Sequence, residues 1–123
     1  MFSWSFDPAD NQRYAVTLWD FAGQDEYQSA HSLFFTRRTV YLQCVNLQAY
    51  AEALRSSETS DDPETQMTQF VETNVLKWIR VVCAYYPAAC FVFVGTKADL
   101  VGHDPQVLRT IGDDLMRRLR RNE

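Results

Sequence analysis

The beginning of the chain is organised around alternating apolar and polar positions. The alternation over residues 13–21 predicts a β-strand. Residues 7–12 are polar and include a proline, a composition typical of a turn. We therefore expect residues 1–6 to be the partner strand of an antiparallel hairpin.

Two later segments are almost continuously apolar. Residues 39–45 and 91–95 are rich in β-branched and aromatic side chains. Runs of this kind are expected of strands that are buried on both faces of a sheet. Between them, apolar residues recur at helical spacing from Met67 to Tyr85, and Pro87 marks the end of this predicted helix.

The remaining segments predict two more helices and a loop. A short helix is expected over residues 26–35, after a turn at Gly23. The polar, acidic segment 55–66 shows no periodicity, which predicts a surface loop or mobile insertion. A last helix is predicted from the N-cap Asp104 onwards, with Pro105 in its first turn. Its apolar stripe would consist of Leu108, Ile111, Leu115 and Leu119.

This order of strands and helices predicts an α/β fold, an open sheet with helices on both faces. The 123 residues, 46% hydrophobic and 23% charged, have the length and composition of one ordinary globular domain. Cys44, Cys83 and Cys90 lie in apolar runs without metal-site spacing. They are expected to be buried free thiols in a reducing compartment.

Charge and hydropathy argue against several classes of function. A formal net charge of −4 is unfavourable for binding nucleic acid, which requires a basic surface. No segment approaches the run of about 20 apolar residues that spans a membrane. The basic run at residues 117–121 predicts a solvated helix face rather than a membrane or nucleic-acid patch. The sequence therefore predicts a cytoplasmic protein without a transmembrane segment.

A first polar cluster follows the strand predicted over residues 13–21. An aspartate at a strand end, here Asp20, can hold Mg²⁺ directly or through water, because this ion prefers oxygen ligands. Gly23 would let its backbone N–H approach a phosphate, and Gln24 is placed to orient an attacking water. The structural alternative is that Asp20 only caps the following turn and Gly23 only serves as a hinge.

A second polar cluster, Thr96, Lys97 and Asp99, follows the strand predicted over residues 91–95. A carboxylate here can accept two hydrogen bonds from the N1 and N2 donors of guanine, which adenine does not offer. The aliphatic stem of Lys97 can cover the face of the base while its ammonium group stays in water. The alternative is a polar loop in which Asp99 caps a helix. Both clusters lie at carboxyl ends of strands, where open α/β sheets bind ligands.

Taken together and in this order, the two clusters resemble the motifs of the Ras-like GTPase superfamily. The resemblance implies binding of GTP or GDP with Mg²⁺, and GTP hydrolysis. Asp20 matches the magnesium residue of the family, acting through water. Gly23 and Gln24 match its γ-phosphate and catalytic positions. Thr96, Lys97 and Asp99 match the guanine-specificity motif, with threonine in place of the commoner asparagine that ties this loop to the phosphate loop.

Within the superfamily, the chain most resembles the Roc domain of Roco proteins. The matching segments are WDFAGQ at 19–24, HSLFF at 31–35 and RRTVYL at 37–42, followed by the acidic insertion. This resemblance implies a larger protein with a COR dimerisation domain, often with leucine-rich repeats and a kinase. The alternative is a Rho-like GTPase, because the segment GTKADL at 95–100 is similar to the Rho motif.

The phosphate-binding motif G-x-x-x-x-G-K-[ST] does not occur in the 123 residues. In the Ras-like topology, the strand preceding that motif lies between the strand ending at Asp20 and the strand containing Tyr41. Two inner strands would then have unpaired edges. We expect a fragment that is marginally stable alone, or that dimerises. A second functional hypothesis is a nucleotide-free scaffold for protein contacts.

Overall fold

The computed structural model describes residues 2–6, 13–18 and 38–122. The chain divides into two compact units, Met1–Phe34 and Phe35–Glu123. In the first unit, strand β1 (Phe2–Phe6) pairs with strand β2 (Tyr14–Leu18) in an antiparallel two-stranded sheet. Phe2 is opposite Leu18, so the predicted hairpin is confirmed. The predicted turn at residues 7–12 and the predicted helix at 26–35 lie outside the described residues.

The second unit contains a parallel pair of strands. Strand β3 (Val40–Asn46) and strand β4 (Cys90–Thr96) form a two-stranded sheet in which Asn46 is opposite Thr96. Both predicted apolar strands are therefore confirmed. Because the two strands are parallel and in register, their carboxyl ends lie side by side.

Among the described residues, only one face of this parallel sheet is covered, which corrects the expectation of burial on both faces. Val45 and Phe93 lie on the covered face and pack into the hydrophobic core. The other face carries alternate residues with large exposed fractions: Val40 57%, Leu42 54%, Val92 46% and Val94 38%.

The exposure of the cysteines follows from this arrangement of the sheet. Cys44 and Cys90 are exposed, because they belong to the same alternation as Val40 and Val92 on the uncovered face. Cys83 is half-buried. All of them are free, but the expectation that they are buried was wrong.

Helix α1 (Leu47–Glu58) begins directly where β3 ends. The Asn46 side chain accepts a hydrogen bond of 3.1 Å from the Ala49 N–H and so caps this helix. Helix α2 (Pro63–Val71), a π-helical turn (Glu72–Leu76) and helix α3 (Lys77–Tyr85) follow one another without a break. After β4 come a 3₁₀ turn (Ala98–Val101) and helix α4 (Pro105–Arg120).

Segment 55–66 is largely helical, which corrects the prediction of a loop. Its first residues form the last turn of α1 and its last residues the first turn of α2, leaving only residues 59–62 as a connection. The serines are satisfied locally: the buried Ser57 hydroxyl donates to the Leu54 carbonyl at 2.7 Å. Asp62 accepts from the Thr65 N–H at 3.1 Å, so α2 begins four residues before the predicted start at Met67.

Helix α4 has the predicted start and apolar stripe. Asp104 accepts a hydrogen bond of 2.9 Å from the Gln106 N–H, and Pro105 occupies the first turn. Ile111 and Leu115 are buried and join one core with residues of β3, α1, α2 and the π-helical turn. The core residues buried most completely are Tyr50, Met67, Val71 and Val75.

The described elements fit the α/β class, with helices packed on a small parallel sheet. The described strands form two separate two-stranded sheets. None of the helices in the described part of the chain has the length and apolarity that crossing a membrane requires.

Candidate functional site

The second polar cluster forms a short turn at the carboxyl end of β4. The chain leaves the strand at Thr96 and enters the left-handed region at Lys97, with φ 58° and ψ 36°. The 3₁₀ turn Ala98–Val101 follows, and Gly102 (φ 69°) leads towards α4. The left-handed residue therefore turns the chain from the strand directly into the helical layer.

The turn is closed by its own backbone hydrogen bonds. Leu100 N–H donates to the Lys97 carbonyl at 3.1 Å, and Gly102 N–H donates to the Asp99 carbonyl at 3.1 Å. The apolar side chains of Ala98 and Val101 pack against the hydrophobic core. Ala98 and Val101 therefore face the core, whereas Lys97, Asp99 and Leu100 are exposed.

Lys97 and Asp99 are the two exposed polar side chains of this turn. Among the described residues, neither side chain has a hydrogen-bond partner or an ion-pair partner. The alternative role of Asp99 as a helix cap is not what the structure shows, since Asp104 caps α4. An unpaired carboxylate beside an unpaired ammonium group, on a turn fixed to a core, suits a ligand with hydrogen-bond donors and a flat face.

Thr96 is placed differently from its two neighbours. It is half-buried, and its hydroxyl donates a hydrogen bond of 3.3 Å to the carbonyl of Val45 in β3. The predicted cluster therefore separates into two outward-facing residues and one residue bonded to the adjacent strand. The role of Val45 was not predicted, although its place at the end of a predicted parallel strand is a usable signal.

The first polar cluster, Asp20, Gly23 and Gln24, lies outside the described residues. Its roles in holding Mg²⁺ and the phosphates stay predictions. Within the described part of the chain, no three Asp, Glu, His or Cys side chains group as a metal site.

A buried charged cluster lies away from the turn and was missed in the sequence. Arg118 is only 5% exposed, although the basic run 117–121 was predicted to be a solvated face. Its guanidinium donates to Asp114 at 2.8 Å and to Glu64 at 3.2 Å. The Tyr50 hydroxyl also donates to Asp114, at 2.7 Å. The Asp114–Arg118 spacing of four residues on α4 was the available signal.

The partners of this cluster shift its titration. Burial acts to raise the pKa of Asp114, but the hydrogen bonds from Arg118, Tyr50 and Arg117 outweigh burial and hold that pKa below its ordinary value. Burial, helped by the hydrogen bond to Asp114, raises the pKa of Tyr50 well above its ordinary value. Because these groups satisfy one another, the cluster is a structural contact between α1, α2 and α4.

Strand, turn and helix place a lysine and an aspartate at the carboxyl end of a parallel strand, the arrangement of a Ras-like GTPase domain. A family model confirms the class. Residues 2–99 match the model described as "Ras of Complex, Roc, domain of DAPkinase", and the chain belongs to this Roc family.

Curated relatives come from two groups of GTPases. The chain is 29% identical over 102 residues to the GTP-binding protein RHO1 of Eremothecium gossypii, covering 83% of this chain and 40% of the relative. It is 30% identical over 91 residues to the GTP-binding protein RHO5 of Saccharomyces cerevisiae, covering 74% of this chain and 25% of the relative.

A relative with the Roco name also matches. The probable serine/threonine-protein kinase roco5 of Dictyostelium discoideum is 29% identical over 94 residues, which cover 75% of this chain and 3% of the relative. The chain thus spans less than half the length of these relatives. No solved structure matches the chain.

Proposed function

We propose that this chain belongs to a GTP- and GDP-binding switch domain of a Roco-type GTPase, and that the turn after β4 recognises the guanine base. The observation that carries the proposal is the pair Lys97 and Asp99, both exposed and without a partner among the described residues, on a turn packed into the core. Membership of the Roc family supports it.

The chemistry of the two side chains accounts for base selection. The Asp99 carboxylate would accept hydrogen bonds from N1 and N2 of guanine, and adenine offers no matching pair of donors. The Lys97 stem would lie along the face of the base while the ammonium group remains hydrated. Selection against adenine then arises because the wrong base leaves the carboxylate without donors.

The remaining roles belong to the first polar cluster. Asp20 would hold Mg²⁺ through a coordinated water, and the ion would supply positive charge to the phosphates. The Gly23 N–H would donate to the γ-phosphate, and Gln24 would orient the attacking water for GTP hydrolysis. The name "GTP-binding protein" of the RHO1 and RHO5 relatives supports the binding of GTP.

A Roco protein is the context we favour, in a cytoplasmic signalling role. Its expected partners are a COR domain and, in many Roco proteins, leucine-rich repeats or a kinase domain. The match to roco5, a probable serine/threonine-protein kinase, supports this context. A Rho-like GTPase is the alternative, supported by the RHO1 match.

A nucleotide-free scaffold is the second candidate function. The observation that favours it is the absence of the motif G-x-x-x-x-G-K-[ST] from the 123 residues. In this case the strands and helices would serve protein contacts only. The two candidates predict different results for Asp99→Asn: the nucleotide preference changes only if the turn after β4 recognises the base.

The test of the proposed function is Asp99→Asn in the full polypeptide that carries these residues. Replacing the carboxylate by an amide should weaken GDP binding by about ten- to a hundredfold, because hydrogen bonds to a charged group are lost. Xanthosine diphosphate should gain affinity, since its base presents an acceptor where guanine presents a donor. Asp113→Asn, an exposed charge change on α4, is the matched control and should alter neither. Unchanged selectivity in Asp99→Asn would refute the assignment.

Hydrolysis is tested separately with Gln24→Leu. The substitution should slow single-turnover GTP hydrolysis while leaving GTP affinity unchanged, because Gln24 would act on the attacking water only. Turnover equal to that of the unmodified protein would remove Gln24 from the mechanism.

A further inference from the structure

We propose that Thr96 is a positioning residue, whose hydroxyl joins the carboxyl end of β4 to that of β3 and thereby holds Lys97 and Asp99 in place for the base. This inference rests on the proposed function of the turn. It differs from the expectation that Thr96 itself binds nucleotide, and from a connection to a phosphate loop.

The contact lies at the last residue of the strand pair. Thr96 Oγ1 donates to the Val45 carbonyl at 3.3 Å, across 51 residues of sequence. Thr96 and Asn46 are opposite each other at the end of the parallel register. The Thr96 hydroxyl therefore adds a side-chain bond between the two strands at the last residues that pair with each other.

The backbone hydrogen bonds that close the turn are internal to it. The hydrogen bonds of Leu100 and Gly102 N–H groups are made to residues of the turn itself. They set the shape of the turn but not its place on the sheet. Its place depends on the packing of Ala98 and Val101 and on the Thr96 hydroxyl.

The acceptor side of the contact is itself well fixed. Val45 is 6% exposed and belongs to the core, and the next residue, Asn46, caps α1. Leu47, the first residue of α1, packs so closely on Gly95 that a Cβ there would lie 2.9 Å from its Cδ1. A hydrogen bond to the Val45 carbonyl therefore fixes the position of the turn relative to a well-packed part of the fold.

The variants separate the hydroxyl from the shape of the side chain. Thr96→Val keeps the branched shape and the preference for a strand but removes the donor. Thr96→Ser keeps the donor and is the conservative rescue. Thr110→Val removes a hydroxyl that donates to the Gln106 carbonyl at 2.9 Å at an exposed position of α4, and it is the matched control.

The first measurement is amide hydrogen exchange of the full chain without nucleotide. Thr96→Val should speed exchange at residues 97–102 by about threefold, the size expected for one neutral hydrogen bond. Thr96→Ser should restore the slower exchange, and Thr110→Val should leave this region unchanged. Exchange at 97–102 that is the same in Thr96→Val as in the unmodified chain would overturn the positioning role.

The second measurement is nucleotide binding by the full polypeptide, with Mg²⁺ and with GDP and ADP as probes. Thr96→Val should raise the dissociation constant for GDP about threefold and lower the preference for GDP over ADP, with recovery in Thr96→Ser. If the unmodified protein shows no preference for GDP, the proposed function fails, while amide hydrogen exchange still tests the hydrogen bond from Thr96 to Val45. If that preference exists and Thr96→Val retains it in full, the positioning role fails alone.

Discussion

At the scale of single residues, Gly95 shows how closely the site is built onto the fold. An added Cβ at this position would lie 2.9 Å from the Cδ1 atom of Leu47. Leu47 is 9% exposed and has little room to move, because it belongs to the core. The absence of a side chain at Gly95 therefore lets α1 begin directly against the strand that carries Thr96.

Gly95→Val should destabilise the chain. Overpacking at the Leu47 contact is expected to lower the free energy of unfolding by about 1–3 kcal/mol. Urea unfolding measures this change, and the double variant with Leu47→Ala should show a smaller additional loss from Gly95→Val.

The control for this prediction is Gly112→Ala. Gly112 lies within α4 and has no atom within 4 Å of an added Cβ. Replacement should stabilise the helix by about 1 kcal/mol, since alanine has the higher helix propensity. If Gly95→Val has the same free energy of unfolding as the unmodified chain, the prediction is contradicted, because Leu47 then moves aside without loss of stability.

At the scale of elements, the helical layer is joined by buried charges as well as by apolar packing. Arg118 of α4 bonds Asp114 on its own helix and Glu64 at the start of α2. Tyr50 of α1 is fully buried and adds its hydroxyl to Asp114. Its ring also packs edge-on against Phe70, with ring centroids 5.4 Å apart. Three helices are therefore held in one relative arrangement.

Asp114 should make the free energy of unfolding depend on pH in the acid range. Its pKa is lowered in the folded chain, so its contribution is present above the ordinary pKa of an aspartate. This contribution is lost as the pH falls through the lowered folded pKa. Asp114→Asn should therefore be less stable than the unmodified chain at pH 7, by about 2 kcal/mol.

The measurement is urea unfolding between pH 7 and pH 3, with Asp113→Asn as the exposed control. The difference between the unmodified chain and Asp114→Asn should narrow towards acid pH, because the Asp114 carboxylate becomes protonated in the unfolded chain before it does in the folded chain. A difference that stays constant over this range would exclude the ionised form of Asp114 as the stabilising species.

Elements could be predicted from sequence where the pattern is local. The alternation before Leu18 and the Asp104–Pro105 start of α4 both identified real elements. Segment 55–66 was missed because its serines, threonines and aspartates have weak helix propensity, and tertiary packing overrides this preference. The burial of Arg118 was missed because Glu64 is 54 residues away in sequence.

The placement of Lys97 and Asp99 after β4 was predictable for the same reason, whereas their role stays a prediction. Lys97 and Asp99 lie in one short segment after a strand, and a single sequence window contains both. The bond from Thr96 to Val45 depends on strand pairing across 51 residues, and no local pattern contains it.

At the scale of the whole molecule, the main departure from an ordinary globular surface among the described residues is the exposed apolar face of the parallel sheet. Val40, Leu42, Val92 and Val94 are all more than a third exposed, and they are neighbours in the strand register. Contiguous apolar surface of this kind favours association between molecules. The isolated chain is therefore expected to be marginally stable or to self-associate.

Sedimentation over a range of concentrations tests this expectation. The unmodified chain should show association that increases with concentration, and Leu42→Lys should reduce it by placing a charge on the uncovered face. Met116→Lys, at a 44% exposed residue of α4, is the control and should leave association unchanged. A monodisperse monomer with a sharp, concentration-independent thermal transition would contradict the expectation.

Recognition of guanine by the turn after β4 is the central claim, and nuclear magnetic resonance of the full polypeptide that carries these residues tests it most directly. GDP with Mg²⁺ is titrated against the ¹⁵N-labelled polypeptide, with ADP as the matched probe, so that the base is the only difference. We predict saturable shifts of the amide signals of residues 96–102 with GDP and none with ADP. Equal shifts with both nucleotides, or no shift of these signals with GDP, would contradict the assignment of Lys97 and Asp99.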